Sequence, residues 1–362
     1  LTYSLISSSS KLSSGYKDTG SIQNPSSIFQ STVAEILNLY SSVSLLSFSE
    51  VSETGDTTGH IRIGTSTGPP TEAYAWYPYP NFYASGDIWL KSETDNYNKS
   101  PKLVDGTYWN AAIVHEIGHS LGLAHPHEAE TINGKTYGTN VSSGEVHSSL
   151  PYSVMSFAEY VGETIGSSSN NYSKPTTLMI DDIAALQYLY GINEQYNAGD
   201  NLYTLGSFSK DSLDYVYASI WDAGGNDTFS WADQSTIGAI DLNPGSFSCF
   251  GNISSVSDTD LASNNWSAGD GLLGIAYNAT IENAIGGSAS DTIAGNSSAN
   301  TLYGGAGAGV KDTLTGNGGA DIFVCSLSDA STDLSVADII SDFTDGSDKI
   351  GLEDRTFSNL AI

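Results

Sequence analysis

The chain of 362 residues carries 12 Lys+Arg against 41 Asp+Glu, a net charge of −29, with 38 Gly and 39% hydrophobic residues. Its length suggests about two domains, each able to bury a core, and the apolar fraction excludes a disordered polyelectrolyte. The acidic excess argues against nucleic acid and anionic membranes as partners, and no apolar run approaches the ~18 residues of a membrane-spanning helix.

The chain opens on Leu1 without a signal-peptide pattern, which reads as a processed or truncated start. Residues 1–6 are expected as a strand, 28–40 as a helix, and 47–51, 60–64, 73–77 and 86–90 as short strands. Residues 107–121 have helical periodicity, with Ile113, Ile117 and Leu121 on one face and Asp105 or Thr107 as the cap. A further helix spans 181–190, capped by Asp181 or Asp182 and stopped by Gly191, so a domain boundary is expected near 191–200. Residues 1–195 hold 8 basic and 19 acidic residues, net −11, and mix helices with strands; residues 196–362 hold 4 and 22, net −18, and are Gly- and Asp-rich. Cys249 and Cys325 are too few for a disulfide framework; a mutual pair and two free thiols both stay open.

The helix at 107–121 carries His115-Glu116-Ile117-Gly118-His119, followed by Gly122 and His125. Residues four apart share a helical face, so His115 and His119 project together and suit a tetrahedral zinc ion. Glu116 is rotated about 100° from His115 and can stand beside a metal as a base without ligating it. A Gly just past the last turn can take a left-handed conformation that ends the helix and brings His125 back. Three protein ligands leave a position for water, the pattern of a catalytic rather than a structural zinc. The other histidines, His60, His127 and His147, read as surface or hydrogen-bonded residues. The motif resembles that of the metzincin metalloproteases, which implies Glu116 as catalytic residue and His115, His119 and His125 as zinc ligands. Met155 in Ser153-Val154-Met155-Ser156 resembles their Met-turn; Met179 reads as core.

Nine-residue repeats run through 286–324, as in Gly286-Gly287-Ser288-Ala289-Ser290-Asp291-Thr292-Ile293-Ala294, with Asn300 replacing one Asp and Asp312 arriving three residues late. They match the nonapeptide of parallel β-rolls, in which glycines aim carbonyls inward and the Asp completes oxygen cages for Ca²⁺. Ile293, Leu302, Leu314 and Phe323, the eighth residues, are expected to form short strands and a thin core.

Together the two motifs resemble the serralysins, secreted bacterial metalloproteases. The resemblance implies an α+β metzincin protease domain with a mixed twisted sheet over 1–195. It implies an all-β parallel β-roll and sandwich over 196–362, binding several structural Ca²⁺. It implies that Asp222, Gly224 and Asp227 hold one calcium, that Gly225, Asp227, Thr280 and Glu282 hold a neighbour, and that Asn197, Gly199 and Asn201 add carbonyls. In the repeats Gly286, Asp291, Gly304, Asp312 and Asp321 are the expected ligands. Repulsion within a net −18 segment implies that folding of this domain requires calcium.

Ala73, Tyr74, Ala75 and Trp76, before Pro78 and Pro80, are the expected edge strand for pairing with extended polypeptide substrates. A secreted monomer without stable membrane insertion is expected, exported by a type I route. The chain departs from the family in carrying Phe157 two residues after the Met-turn Met, where serralysins have a Tyr that ligates zinc. Tyr160 or Tyr152 could substitute through a loop shift; otherwise the protein is a weakened enzyme or a metzincin-like binding protein. The sequence shows neither the family's extra segment before the first strand nor its longer C-terminal tail, which reads as processing, truncation or a different end.

Overall fold

The computed structural model describes residues 1–7, 12, 20–54, 57–68, 72–91, 108–132, 135–137, 146–159, 174–208, 217–250, 271–307, 309–326 and 333–352. The chain forms two compact units, Leu1–Asn193 and Glu194–Ile362.

In the first unit, β1 (Thr2–Leu5), β2 (Ile22–Gln23), α1 (Ser27–Val43), β3 (Ser49–Glu50), β4 (Ile61–Ser66), β5 (Ala73–Ala75) and β6 (Ile88–Lys91) precede α2 (Tyr108–Ser120). A hairpin of β7 (Glu130–Ile132) and β8 (Lys135–Tyr137), and then α3 (Ile180–Tyr190), follow it. The sheet runs β3-β1-β4-β6-β5, with β2 pairing the end of β4. Neighbours are parallel except β5 on β6 and β2 on β4. Every residue of β4 is buried, as expected of a central strand covered on both faces. The core joins Ile6, Ile63, Ile88, Trp89 and Leu90 to Phe29, Val33, Ile36 and Tyr40 of α1 and to Ile113 and Ile117 of α2. Ser26 caps α1 by accepting the N–H of Phe29. The cap expected for α2, Asp105 or Thr107, lies outside the described residues. The 73–77 strand ends as β5 at Ala75, yet Trp76 still exchanges backbone bonds with Asp87 and Gly86 before the proline turn. The hairpin of β7 and β8 had no counterpart in the sequence reading.

The second unit contains β9 (Leu202–Thr204), β10 (Tyr217–Ile220), β11 (Thr228–Ser230), β12 (Gly238–Asp241), β13 (Phe247–Phe250) and β14 (Gly271–Ile275). These are followed by β15 (Asn283–Ile285), β16 (Thr292–Ala294), β17 (Thr301–Tyr303), β18 (Thr313–Thr315), β19 (Ile322–Cys325), β20 (Ile339–Ile340) and β21 (Lys349–Leu352). One sheet runs β21-β19-β17-β15-β11-β9, the other β10-β14-β13-β12-β16-β18-β20. From β15 onward successive strands alternate between the sheets, and each pairs in parallel with the strand two further on. Among the described strands of this unit, only β13 runs antiparallel to its neighbours. This is a roll. Its interior is one apolar residue per strand, Ala284, Ile293, Leu302, Leu314 and Phe323, all buried between the sheets. The expected eighth-position residues are those side chains. Cys249 is buried and Cys325 part-exposed, and no disulfide joins them.

Candidate metal centre

Helix α2 ends as the spacing requires. Gly122 has φ +94°, its N–H donates to His119 O at 2.9 Å, and Leu123 N–H donates to Gly118 O at 2.9 Å. These two bonds form a Schellman motif, which turns the chain so that His125 returns to the helix face. His125 Nε2 lies 3.1 Å from His115 Nε2 and 3.0 Å from His119 Nε2. Each opposite nitrogen has its own acceptor: Val154 O at 2.9 Å for His115 Nδ1, Leu123 O at 2.8 Å for His119 Nδ1, and Glu128 Oε2 at 3.0 Å for His125 Nδ1. An acceptor at Nδ1 fixes the proton there and leaves Nε2 a bare lone pair. Burial, helped by the neighbouring imidazoles, pushes His115 down to about 3 and His119 down to about 4, so both rings are neutral. Three converging lone pairs repel one another unless a cation lies among them. Their separation approaches the roughly 3.3 Å edge of a tetrahedron with ~2.0–2.1 Å zinc–nitrogen bonds, so the donor set fits zinc.

Glu116 is buried beside the triad, and burial pushes its carboxyl up to about 8. Its Oε2 is enclosed without a hydrogen-bond partner, the environment of a proton acceptor waiting for a water. Under the helix, a Cβ on Gly118 would stand 2.6 Å from Met155 Sδ, so the glycine lets the Met-turn approach the backbone. Asp182 holds that turn. Its carboxylate accepts Ser153 Oγ–H at 2.7 Å, Val154 N–H at 2.8 Å and, from the first turn of α3, Met179 N–H at 3.0 Å. Of the two expected caps, Asp182 does cap α3 through Met179 N–H and in addition joins the helix to the Met-turn, whereas Asp181 pairs with His147 at 2.7 Å.

Phe157 lies flat on His115, ring centroids 5.5 Å apart, and 4.7 Å from His125. Tyr152 is buried with its ring against His147. Tyr160 lies outside the described residues. His127 is not a surface residue. Its side chain is 7% exposed, stacked on His125 at 5.2 Å and against Phe157 at 5.0 Å. Sequence reasoning missed Glu128, His127 and Asp182 as parts of the centre. The available signal was spacing, since Glu128 falls three residues after His125, within reach of its outer nitrogen.

Ala73, Tyr74 and Ala75 form β5 at the edge of the sheet, against α2, and Trp76 follows with 39% of its surface exposed. Trp76 packs on Phe82 at 4.9 Å, and Tyr77, one residue beyond the expected set, sets its ring edge against His119 at 5.2 Å. The edge strand thus runs into the wall of the metal centre.

In the second unit the turns stack into ladders of acids. Asp227 accepts Asn201 N–H at 2.7 Å on Oδ1, while its buried Oδ2 has no partner, and Glu282 Oε2 accepts Asp227 N–H at 2.8 Å. Asp222 accepts from Gly224 N at 2.8 Å and from Tyr203 Oη. The Asn201 amide nitrogen donates to Gly199 O at 2.5 Å and Asn197 O at 3.0 Å, and a Cβ on Gly225 would strike Gly199 O. The carboxylates of Asp222, Asp227 and Glu282, with an orphaned buried oxygen on Asp227, fit Ca²⁺. On the opposite side Asp291 accepts Gly238 N and Gly287 N, both at 2.6 Å, Asp312 accepts Asp291 N at 2.8 Å, and Asp338 accepts Asp312 N at 3.0 Å. A Cβ on Gly286 would lie 1.9 Å from Gly304 O, and one on Gly304 2.3 Å from Asp312 Oδ2, so both glycines make room for oxygen atoms. Asp321 is joined by Asp342 and Asp348, which sequence reasoning left out. Thr280 lies two residues before Glu282, ahead of β15. One turn differs. Asn296 Nδ2 donates to Leu242 O and Ile281 O, and Asn300 Nδ2 donates to Glu282 O and Asn296 Oδ1. Amide hydrogens occupy the oxygens a cation would need, so the 295–300 turn does not fit Ca²⁺.

Comparison with known proteins agrees with this geometry. The family described as Matrixin matches residues 16–153, and the one described as Peptidase M10 serralysin C terminal matches 182–361. The chain is 37% identical to Serralysin C of Dickeya chrysanthemi over 311 residues, 81% of this chain and 58% of that protein. It is 34% identical to the Metallopeptidase AprA of Pseudomonas marginalis over 315 residues, 81% of this chain and 59% of the relative. Against the Serralysin of Proteus mirabilis identity is 33% over 277 residues, 71% and 52% of the two chains. The chain therefore spans just over half the length of these relatives.

Proposed function

The chain belongs to the serralysin family, and from that premise we propose that it is a zinc-dependent endopeptidase acting on extended polypeptides. The observation that carries this reading is the convergence of three bare Nε2 atoms beside a buried, unpartnered oxygen of Glu116. Zinc, when bound by His115, His119 and His125, lowers the pKa of a water and polarises a carbonyl. Glu116 takes the proton of the attacking water and then delivers it to the leaving amine nitrogen; burial, which raises its pKa, suits it to both steps. The backbone of β5 pairs with the substrate main chain, so binding tolerates many side chains. The second unit carries several structural Ca²⁺ on its acidic turns. No helix among the described residues is long and apolar enough to cross a membrane. A monomer secreted by a type I route, with no nucleic-acid partner, completes the reading.

Casein hydrolysis tests it, with Glu116→Gln as control. Loss of the base is expected to slow turnover by about 10²–10⁴-fold without loss of zinc. Equal rates for both proteins, each with one zinc bound, would overturn the proposal. Phe157 supports a second reading, a zinc-bearing binding protein, because its ring lies against His115 and can donate no hydrogen bond there. Binding of casein without cleavage by the native, zinc-loaded protein would favour that reading.

A further inference from the structure

His127 and Glu128 form a cluster that the proposed reaction does not use. Glu128 holds His125 Nδ1 at 3.0 Å with one oxygen, and its other oxygen lies 3.7 Å from His127 Nε2. One donor atom from each of His125, His127 and Glu128 lies within 4.8 Å of the others. The His127 imidazole is enclosed by His125 and Phe157, and its buried Nδ1 has no hydrogen-bond partner. Its other nitrogen, Nε2, faces the Glu128 carboxylate beyond hydrogen-bond distance, so it is open to a cation shared with that carboxylate. A buried imidazole in that position, beside a carboxylate whose side chain is 52% exposed, is the donor set of a divalent transition metal with an open approach from solvent.

We propose that His127 and Glu128 are the protein ligands of a second, weaker transition-metal site, beside His125, whose occupation inhibits the enzyme. The inference rests on the zinc-peptidase reading above. A carboxylate engaged by the second ion is withdrawn from His125. That ring then loses the acceptor that fixes its proton on Nδ1 and aims Nε2 at the centre. The ligand class, imidazole with carboxylate, suits zinc or copper and not calcium.

The test uses the calcium-saturated full chain, so that the acidic turns do not take up the probe, and titrates it with zinc. Bound metal is counted after equilibrium dialysis, and casein hydrolysis is followed in parallel. The native protein is expected to bind one tight zinc and one weaker zinc, with hydrolysis falling as the second binds. His127→Phe keeps the ring stack but has no donor atom; His127→Ala removes the ring. Both are expected to keep the first zinc and to weaken the second by more than the roughly 10–100-fold that loss of an indirect partner costs a metal site. Their hydrolysis should then resist excess zinc. A second zinc bound by either variant as tightly as by the native protein, or no second zinc in the native protein, would overturn the site. Failure to bind the first zinc would strike the catalytic reading, and this inference with it.

Discussion

Phe157 is 48% exposed and rests on two of the three imidazoles, so it already has the place of a side chain that closes the metal centre. What it lacks is an O–H. Phe157→Tyr keeps the ring packing and adds one donor beside the reacting carbonyl. Since one such donor is worth roughly 10²–10³ in turnover, the variant is expected to raise kcat by up to about 10²-fold. Comparison at equal zinc content decides it, and no gain would show that the centre works without that group. Glu128 acts at the same scale from the opposite side. Glu128→Ala removes the acceptor of His125 Nδ1–H and should weaken zinc binding by about 10–100-fold in chelator competition. Glu128→Gln, whose amide oxygen still accepts, should fall between. If Ala and Gln are both indistinguishable from native, the carboxylate does not position His125.

The elements around the centre show which parts of the site were legible in the sequence. The meeting of the three histidines was, because helical spacing and a single glycine determine where they converge: Gly122 takes the left-handed conformation that its place after the last turn predicted. The roll was legible for the same reason, a short repeat in fixed phase, which places Ile293, Leu302, Leu314 and Phe323 in one core. The supports were not. Asp182 meets Val154 across 28 residues, a contact that no local pattern encodes. His127 looked like any polar residue of an exit loop until Phe157 was seen to enclose it. The Asp182 contact makes the Met-turn and α3 one mechanical piece. Asp182→Ala would leave Ser153 Oγ, Val154 N–H and Met179 N–H without their acceptor. At about 1–3 kcal/mol for each unsatisfied buried group, with partial relaxation, a loss of roughly 2–4 kcal/mol is expected in urea unfolding of the zinc-free protein. A change below about 0.5 kcal/mol, the scale of an ordinary surface substitution, would mean that the turn is held by packing alone.

For the molecule as a whole the charge of −29 divides unevenly, and the second half's −18 includes acids stacked on successive turns. Burial, foremost, pushes both Asp227 and Asp291 up to about 6; Asp222 and Glu282 raise Asp227 further, and burial also raises Asp321. The sign of the pH dependence follows. A carboxyl whose folded pKa is raised disfavours the folded state once it ionises. Without calcium, the second unit should therefore lose stability as pH rises from about 4 through 6. With calcium the order reverses, because the ion needs the carboxylates ionised. Each group with a pKa near 6 should weaken calcium binding about tenfold at pH 5 relative to neutrality. Calcium titrations by calorimetry at the two pH values measure this directly, and equal affinities would show that these carboxyls do not ligate. Chelation at neutral pH should reduce the circular dichroism of the second unit, except near 295–300. There Asn296 and Asn300 supply by amide hydrogens what a cation would supply at the acidic turns. Hydrogen exchange after chelation should find that turn the most protected of the roll, because its bonds are complete without an ion while its neighbours' charges are not. Uniform loss of protection would mean that the turn depends on the calcium layers beside it.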